Sequence, residues 1–120
     1  MYKVLILDDN NDILDAVSFV LGRRRQMEVI ALKDASQLPA YLEEYRPDLL
    51  LMDIELGMYD GRKLCYDIKN TPGEQSLPVL LFTARHYSAK SIEDCKADAF
   101  IEKPFKIQEL YQAVEKCLTH

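Results

Sequence analysis

Three runs along this chain are apolar at every position and stop abruptly at oxygen-bearing side chains. They are Val4-Leu5-Ile6-Leu7 before Asp8-Asp9, Leu49-Leu50-Leu51-Met52 before Asp53, and Val79-Leu80-Leu81-Phe82 before Thr83. An unbroken apolar run of this length predicts a strand covered on both faces. Between the runs the period changes. After Asp8 to Asp12, several of which suit a cap, Ile13, Val17, Val20 and Leu21 recur at helical spacing. Gly22 and the cations Arg23-Arg24-Arg25 suit the end of that helix better than they suit a binding patch.

The alternation continues. Met27 to Leu32 predicts a second strand, less uniformly apolar than the first. Ser36 is the expected cap of a second helix burying Leu38, Tyr41, Leu42 and Tyr45, with Pro39 tolerated in its first turn. Glu43, Glu44 and Arg46 fall on its exposed side. A loop runs from Ile54 to Gly61, and Asp60 suits the cap of a third helix with Leu64, Cys65 and Ile68 inward. The fourth strand is expected over Leu77 to Phe82. The segment from Ala84 to Lys96 predicts a weak helix, starting at Ser88 or Ser91, with only Ala89, Ile92 and Cys95 to bury. Ala99-Phe100-Ile101 predicts a short fifth strand. After Lys103-Pro104, a last helix places Ile107, Leu110, Tyr111, Val114 and Leu118 on one face. Five strand–helix units over residues 1–120 predict one α/β domain, a doubly wound five-stranded parallel sheet with right-handed crossovers. Alternation alone leaves the strand order open.

At 120 residues, 48% hydrophobic and 29% charged, the chain can bury a core without staples. A net charge of -5 argues against a surface that coats nucleic acid or an anionic membrane. No apolar stretch approaches the roughly 20 residues a spanning helix needs. The first apolar run ends at two aspartates and not at a cleavage site of small residues. Cys65, Cys95 and Cys117 are odd in number and widely spaced, so neither a disulfide framework nor a metal knuckle is indicated. The expected compartment is a reducing cytoplasm.

In a parallel sheet all strand ends of one sense lie along one edge, where ligands bind in open α/β folds. Asp8 and Asp9 end the first strand, Asp53 the third, Thr83 the fourth, and Lys103 follows the fifth. If the first and third strands are neighbours, three carboxylates meet in one crevice and need a cation or protons to offset them. Hard oxygen donors without histidine or cysteine favour Mg²⁺ over zinc. With a lysine and a hydroxyl beside them, they form a site for a phosphoryl group carried on a carboxylate. Taken singly, each residue reads more simply as a cap, a strand-end hydroxyl or a surface lysine. His86 reads as a loop histidine.

The set Asp8-Asp9, Asp53, Thr83-Ala84 and Lys103-Pro104, with Asp60-Gly61 closing the loop, resembles the receiver domain of two-component response regulators, including stand-alone chemotaxis-type regulators. The resemblance covers essentially the whole chain. It implies a flavodoxin-like fold with strand order 2-1-3-4-5. It implies Asp53 as phosphoacceptor, loaded from a sensor histidine kinase or a phosphotransfer protein. Asp8 (chiefly through water), Asp9, Asp53 and the backbone carbonyl of Glu55 would hold Mg²⁺. Thr83 and Lys103 would hold phosphoryl oxygens, and Phe100 would be the aromatic switch. The Lys103-Pro104 peptide would be cis. Output would pass over the fourth helix, fifth strand and fifth helix to a protein partner or into a phosphorylation-dependent homodimer. The domain would be a signalling module, without direct nucleic-acid contact and without turnover of an external substrate.

Three departures stand out. Gly57 replaces a usual proline, Lys96 replaces a usual glycine, and the Thr83-to-Lys103 interval is about two residues short. The resemblance also implies that Glu55 and Arg85 flank the mouth of the site and influence how fast the phosphoryl group is hydrolysed; their opposite charges allow a pair across it, with direct contact of Arg85 to the phosphoryl group as the alternative. A Mg²⁺ phosphohydrolase with an aspartyl nucleophile is the alternative, but such enzymes of the haloacid dehalogenase type need two aspartates one residue apart, and position 10 is Asn10. A flavodoxin-like binding protein is disfavoured by the acidic, phosphate-repelling loops.

Overall fold

The computed structural model describes residues 1–119. Five strands form one parallel sheet: β1 (Tyr2–Leu7), β2 (Met27–Leu32), β3 (Leu49–Asp53), β6 (Val79–Thr83) and β7 (Ala99–Glu102). Their order is β2-β1-β3-β6-β7, the 2-1-3-4-5 arrangement expected of the five long strands. The remaining strands, β4 (Glu55–Leu56) and β5 (Tyr59–Asp60), pair antiparallel as a small hairpin inside the expected loop. The helices are α1 (Asn11–Gly22), α2 (Leu38–Tyr45), α3 (Gly61–Lys69), α4 (Ala89–Asp94) and α5 (Ile107–Leu118). None of the described helices is long and apolar enough to cross a membrane.

Strand alternation divides each apolar run between two cores. Val4, Ile6, Leu49, Leu51, Leu80 and Phe82 pack against Leu14, Val17 and Leu21 of α1 and Leu110, Val114 and Cys117 of α5. Leu5, Leu7, Leu50, Met52 and Leu81 face Leu38 and Leu42 of α2, Cys65 and Ile68 of α3, and Cys95 beyond α4. Burying each such large side chain contributes about 1.5–3 kcal/mol, so the central strands need every position apolar.

Local chemistry corrects some expected details and bears out others. Asp34, not Ser36, makes the cap ahead of α2: its carboxylate accepts from the Ser36 N–H at 2.9 Å, opening a short 3₁₀ turn. The fourth long strand begins at Val79, because Leu77 is held in a turn with its N–H on the Glu74 carbonyl and its own carbonyl on Lys69 Nζ. Ser88 caps α4, which has six residues and buries none of them. Ile107 opens α5 and is 56% exposed, and Cys117 supplies the buried position in its place. Arg24 lies over the Tyr111 ring at 3.8 Å, so the arginine run does pack at a helix end. Lys96 has φ 65, so the backbone keeps the left-handed conformation that glycine would adopt without cost.

Two glycines shape the segment after β3. Gly57 has φ +66 and precedes Met58 in the two-residue turn of the hairpin. Glycine first and a residue of negative φ second match a type II′ turn, and proline cannot adopt that φ. Gly61 lies directly against the Asp53 carbonyl and the Ile54 backbone, where a Cβ would collide. Both obstacles are main chain and cannot swing away. Gly61→Ala should therefore destabilise the fold by about 2 kcal/mol, the usual scale of overpacking. Urea unfolding would show a lower midpoint with an unchanged slope.

Candidate functional site

Strand order puts the ends of β1 and β3 side by side, so Asp8 and Asp53 emerge as neighbours at the upper edge of the sheet. Both are buried, at 0% and 5% exposure. The Lys103 ammonium lies 3.0 Å from Asp53 Oδ2 and 3.4 Å from Asp8 Oδ2. Its stem starts beyond β7 and crosses β6, with Nζ 4.7 Å from the centre of the Phe82 ring. The Lys103 N–H donates to the Thr83 carbonyl at 2.7 Å, which anchors the start of that path. The Lys103-Pro104 peptide is cis.

The other oxygens of the pair are held by backbone. The Asn10 N–H donates to Asp8 Oδ1 at 2.9 Å, and the Glu55 N–H donates to Asp53 Oδ1 at 3.1 Å. Burial is the largest influence on Asp53 and pushes its carboxyl above the usual carboxylate range. Lys103 pulls it back, the Asp8 charge pushes it up again, and the Glu55 N–H lowers it slightly.

Thr83 is fully buried at the end of β6, but its hydroxyl points to Glu55. It donates to the Glu55 carboxylate at 2.5 and 2.7 Å and accepts the Arg85 N–H at 3.0 Å. Tyr87 donates its hydroxyl to Glu55 Oε2 at 2.5 Å. The expected Glu55–Arg85 pair is therefore not formed. The Glu55 carboxylate is taken by two hydroxyls, and Arg85 makes no ion pair among the described residues. Tyr87 was not singled out by any spacing in the sequence. The only available signal was that a carboxylate beside two aspartates needs donors.

Asp9 stays exposed at the rim, and its Oδ2 leans over Gly57. Phe100 is half-buried in the core shared by α2 and α3, together with Tyr87 and Ile92. His86 is exposed, and its polar partner among the described residues is Glu102, at 3.2 Å. Among the described residues no three His, Cys, Asp or Glu side chains converge as a ready ligand shell. The donors still fit Mg²⁺. They are hard oxygens, and Mg²⁺ is ordinarily held by one or two carboxylates with water completing the octahedron. Asp8, Asp9 and Asp53 outnumber the single ammonium in contact with them, so a dication would offset their excess charge.

Residues 4–115 match the family described as the response regulator receiver domain. The chain belongs to that family. It is 29% identical over 120 residues to the heme response regulator HssR of Staphylococcus saprophyticus, covering 98% of this chain and 52% of that protein. It is 30% identical over 120 residues to the DNA-binding dual master transcriptional regulator RpaA of Synechocystis, covering 98% and 49%. The chain thus spans about half the length of these curated relatives. The receiver domain of a signal transduction histidine kinase from Syntrophus aciditrophicus superposes with a TM-score of 0.88 at 25% identity, covering 99% of this chain and 91% of that one. Receiver domains are phosphoacceptors of two-component signalling. They take phosphoryl groups from histidine kinases, generally with Mg²⁺, and regulate downstream effectors.

The two buried carboxylates of this receiver depend on one lysine. Lys103→Met should destabilise the metal-free protein by about 3 kcal/mol at pH 7, the scale for leaving buried charge uncompensated. The sign with pH follows from Asp53. Its folded pKa is already raised, and removing the lysine raises it further, so the folded variant takes up a proton more readily than the unfolded chain. The variant should regain stability as pH falls through that folded pKa. Urea midpoints at pH 7 and pH 4.5 would show the gap to wild type narrowing.

Proposed function

We propose that Asp53 is the phosphoacceptor and that residues 1–120 work as one receiver domain. The observation that carries this is the buried Asp53 carboxylate at an open strand end, 3.0 Å from the Lys103 ammonium and beside Asp8. A carboxylate oxygen of Asp53 attacks phosphorus as the P–N bond of a phosphohistidine breaks. The histidine nitrogen keeps the electron pair and takes a proton from solvent. Asp53 becomes an acyl phosphate, and water later hydrolyses it.

Lys103 and Thr83 would hold the new phosphoryl oxygens, a role supported by the Lys103 ammonium 3.0 Å from Asp53 and by Thr83 at the end of the neighbouring strand. Asp8 (through water), Asp9, Asp53 and the Glu55 backbone carbonyl are the residues that would hold Mg²⁺. When bound, the cation offsets charge on the transferring oxygens. Phe100 is the proposed switch, and the surface of α4, β7 and α5 is the proposed output face, for a separate protein, an attached effector or a second copy. Direct nucleic-acid contact by this domain and turnover of an external substrate are not part of the reading. The cytoplasm is the proposed compartment, with a histidine kinase or phosphotransfer protein as donor.

Incubation with a small phosphodonor and Mg²⁺ should add the mass of one phosphoryl group, and Asp53→Asn should abolish the gain. Labelling that persists in this variant would overturn the assignment. The cation has its own test. At free Mg²⁺ tenfold above its dissociation constant, wild type should gain about 1.4 kcal/mol by mass action. Asp9→Ala should lose that gain in thermal unfolding. The output face predicts that hydrogen exchange in the presence of beryllofluoride, which stands in for the phosphoryl group, changes most between Ala84 and Phe105. A change confined to α1 and α2 would contradict it.

A further inference from the structure

The Glu55 side chain has no part in the chemistry proposed above, yet it holds the residue that chemistry needs. A threonine hydroxyl has one proton to donate. In this structure the Thr83 proton is committed to Glu55, at 2.5 and 2.7 Å, and the hydroxyl's acceptor side is occupied by the Arg85 N–H at 3.0 Å. Thr83 is fully buried, and these contacts are the ones its hydroxyl makes among the described residues. To reach a phosphoryl oxygen on Asp53, Thr83 must first give up Glu55.

Glu55 is itself tied to the surface. Tyr87 donates to Oε2 at 2.5 Å. The Arg62 guanidinium lies 4.4 Å from the Tyr87 ring centre, and Arg62 donates to Ser91 Oγ of α4 and to Asp60. One line of contacts thus runs from the end of β6 to α4: Thr83, Glu55, Tyr87, Arg62, Ser91. It bypasses Arg85 and Phe100.

We infer that the Glu55 carboxylate is a latch that competes with the phosphoryl group for the Thr83 hydroxyl and ties α4 down through Tyr87 and Arg62 until that group wins. This rests on Asp53 being the acceptor. Glu55 is a positioning residue here: it touches neither the phosphorus nor Asp53 through its side chain. A hydrogen bond to a charged acceptor must be broken before Thr83 can turn, and its strength corresponds to about tenfold or more in an equilibrium constant. The incoming phosphoryl charge also repels Glu55, which would free Tyr87 and loosen α4.

The test is titration with beryllofluoride in the presence of Mg²⁺, followed by NMR of the whole chain. Wild type, Glu55→Gln and Glu55→Ala are each compared with and without Thr83→Val. Glu55→Ala should tighten binding about tenfold, and Glu55→Gln, which keeps a neutral acceptor, should fall between. In the Thr83→Val background Glu55→Ala should change little. Without any ligand, Glu55→Ala should already speed amide exchange across residues 89–94. Tightening by the same factor in both backgrounds would show Glu55 acting through charge alone and would overturn the latch. Asp53-dependent binding that is indifferent to Glu55 would do the same while leaving the acceptor reading intact. Binding that survives Asp53→Asn would instead overturn the acceptor reading.

Discussion

Two carboxylates buried side by side are tolerable only with a cation between them, and the Lys103 ammonium is that cation. Each charge taken from water costs several kcal/mol even after relaxation, so Asp8 and Asp53 without Lys103 would oppose folding. The strand order is what lets one lysine serve both. β1 and β3 are adjacent, while β7 lies two strands from β3. A lysine stem is long enough to cross β6, and it does so against the Phe82 ring. Arginine would bring a rigid planar fork to the same place, where a compact, mobile charge on a flexible stem can turn between two partners. The local arrangement serves this crossing as well: the Lys103 N–H on the Thr83 carbonyl extends the β6–β7 pairing to the residue that must reach back.

The remaining carboxylates near the edge are kept apart by different means. Asp9 stays in water, where its charge costs little. The Glu55 carboxylate is satisfied by the hydroxyls of Thr83 and Tyr87. The hairpin sets this arrangement, because Gly57 turns the chain sharply enough to pair Glu55 with Asp60. Gly61 then brings the start of α3 hard against the Asp53 main chain. The loop is thereby pinned at both ends while its tip remains at the surface. A site with this layout can accept two more negative charges only by gaining cationic neighbours or by moving an anion away. Glu55 is the anion best placed to move, since its donors are side-chain hydroxyls that can rotate.

The sheet and its order of layers were legible because central parallel strands must be apolar at every position, a pattern few other elements impose. Asp8, Asp53, Thr83 and Lys103 could be assigned to one edge from sequence for a related reason: a parallel sheet lines up strand ends of one sense, while which ends are neighbours followed from the strand order that the resemblance implied. What Glu55 touches was not legible. Charge type predicted Arg85, the nearest opposite sign, but the partner depends on which way a two-residue hairpin points a side chain. The same limit applied at Ser36, where a neighbouring Asp34 is the better acceptor, and at Ile107, where helical phase leaves an isoleucine in water and buries Cys117. Pattern gives the elements and their faces. It does not give the rotation of a loop by a fraction of a turn, and polar contacts depend on that rotation.

The two helices nearest the site differ in how they are fixed, and this decides where a signal can leave. Leu110, Val114 and Cys117 bury α5 in the core beneath the sheet, and Glu109 accepts from the Lys106 N–H at 3.1 Å to close its first turn. Shifting α5 would open cavities, at several kcal/mol for a few large side chains. In contrast, α4 has six residues with none buried, and is held by the Ser88 cap, by Arg62 on Ser91 and by half-buried Ile92. Polar contacts at or near the surface exchange for water at a small net cost, far below that of opening a core cavity. A rearrangement begun at Thr83 therefore meets little resistance toward α4 and much toward α5. The shortness of α4 accentuates the difference, since six residues make less than two turns of helix. In this receiver, α5 and β7 form the fixed wall of the proposed output face, and α4 is the part of it that can move.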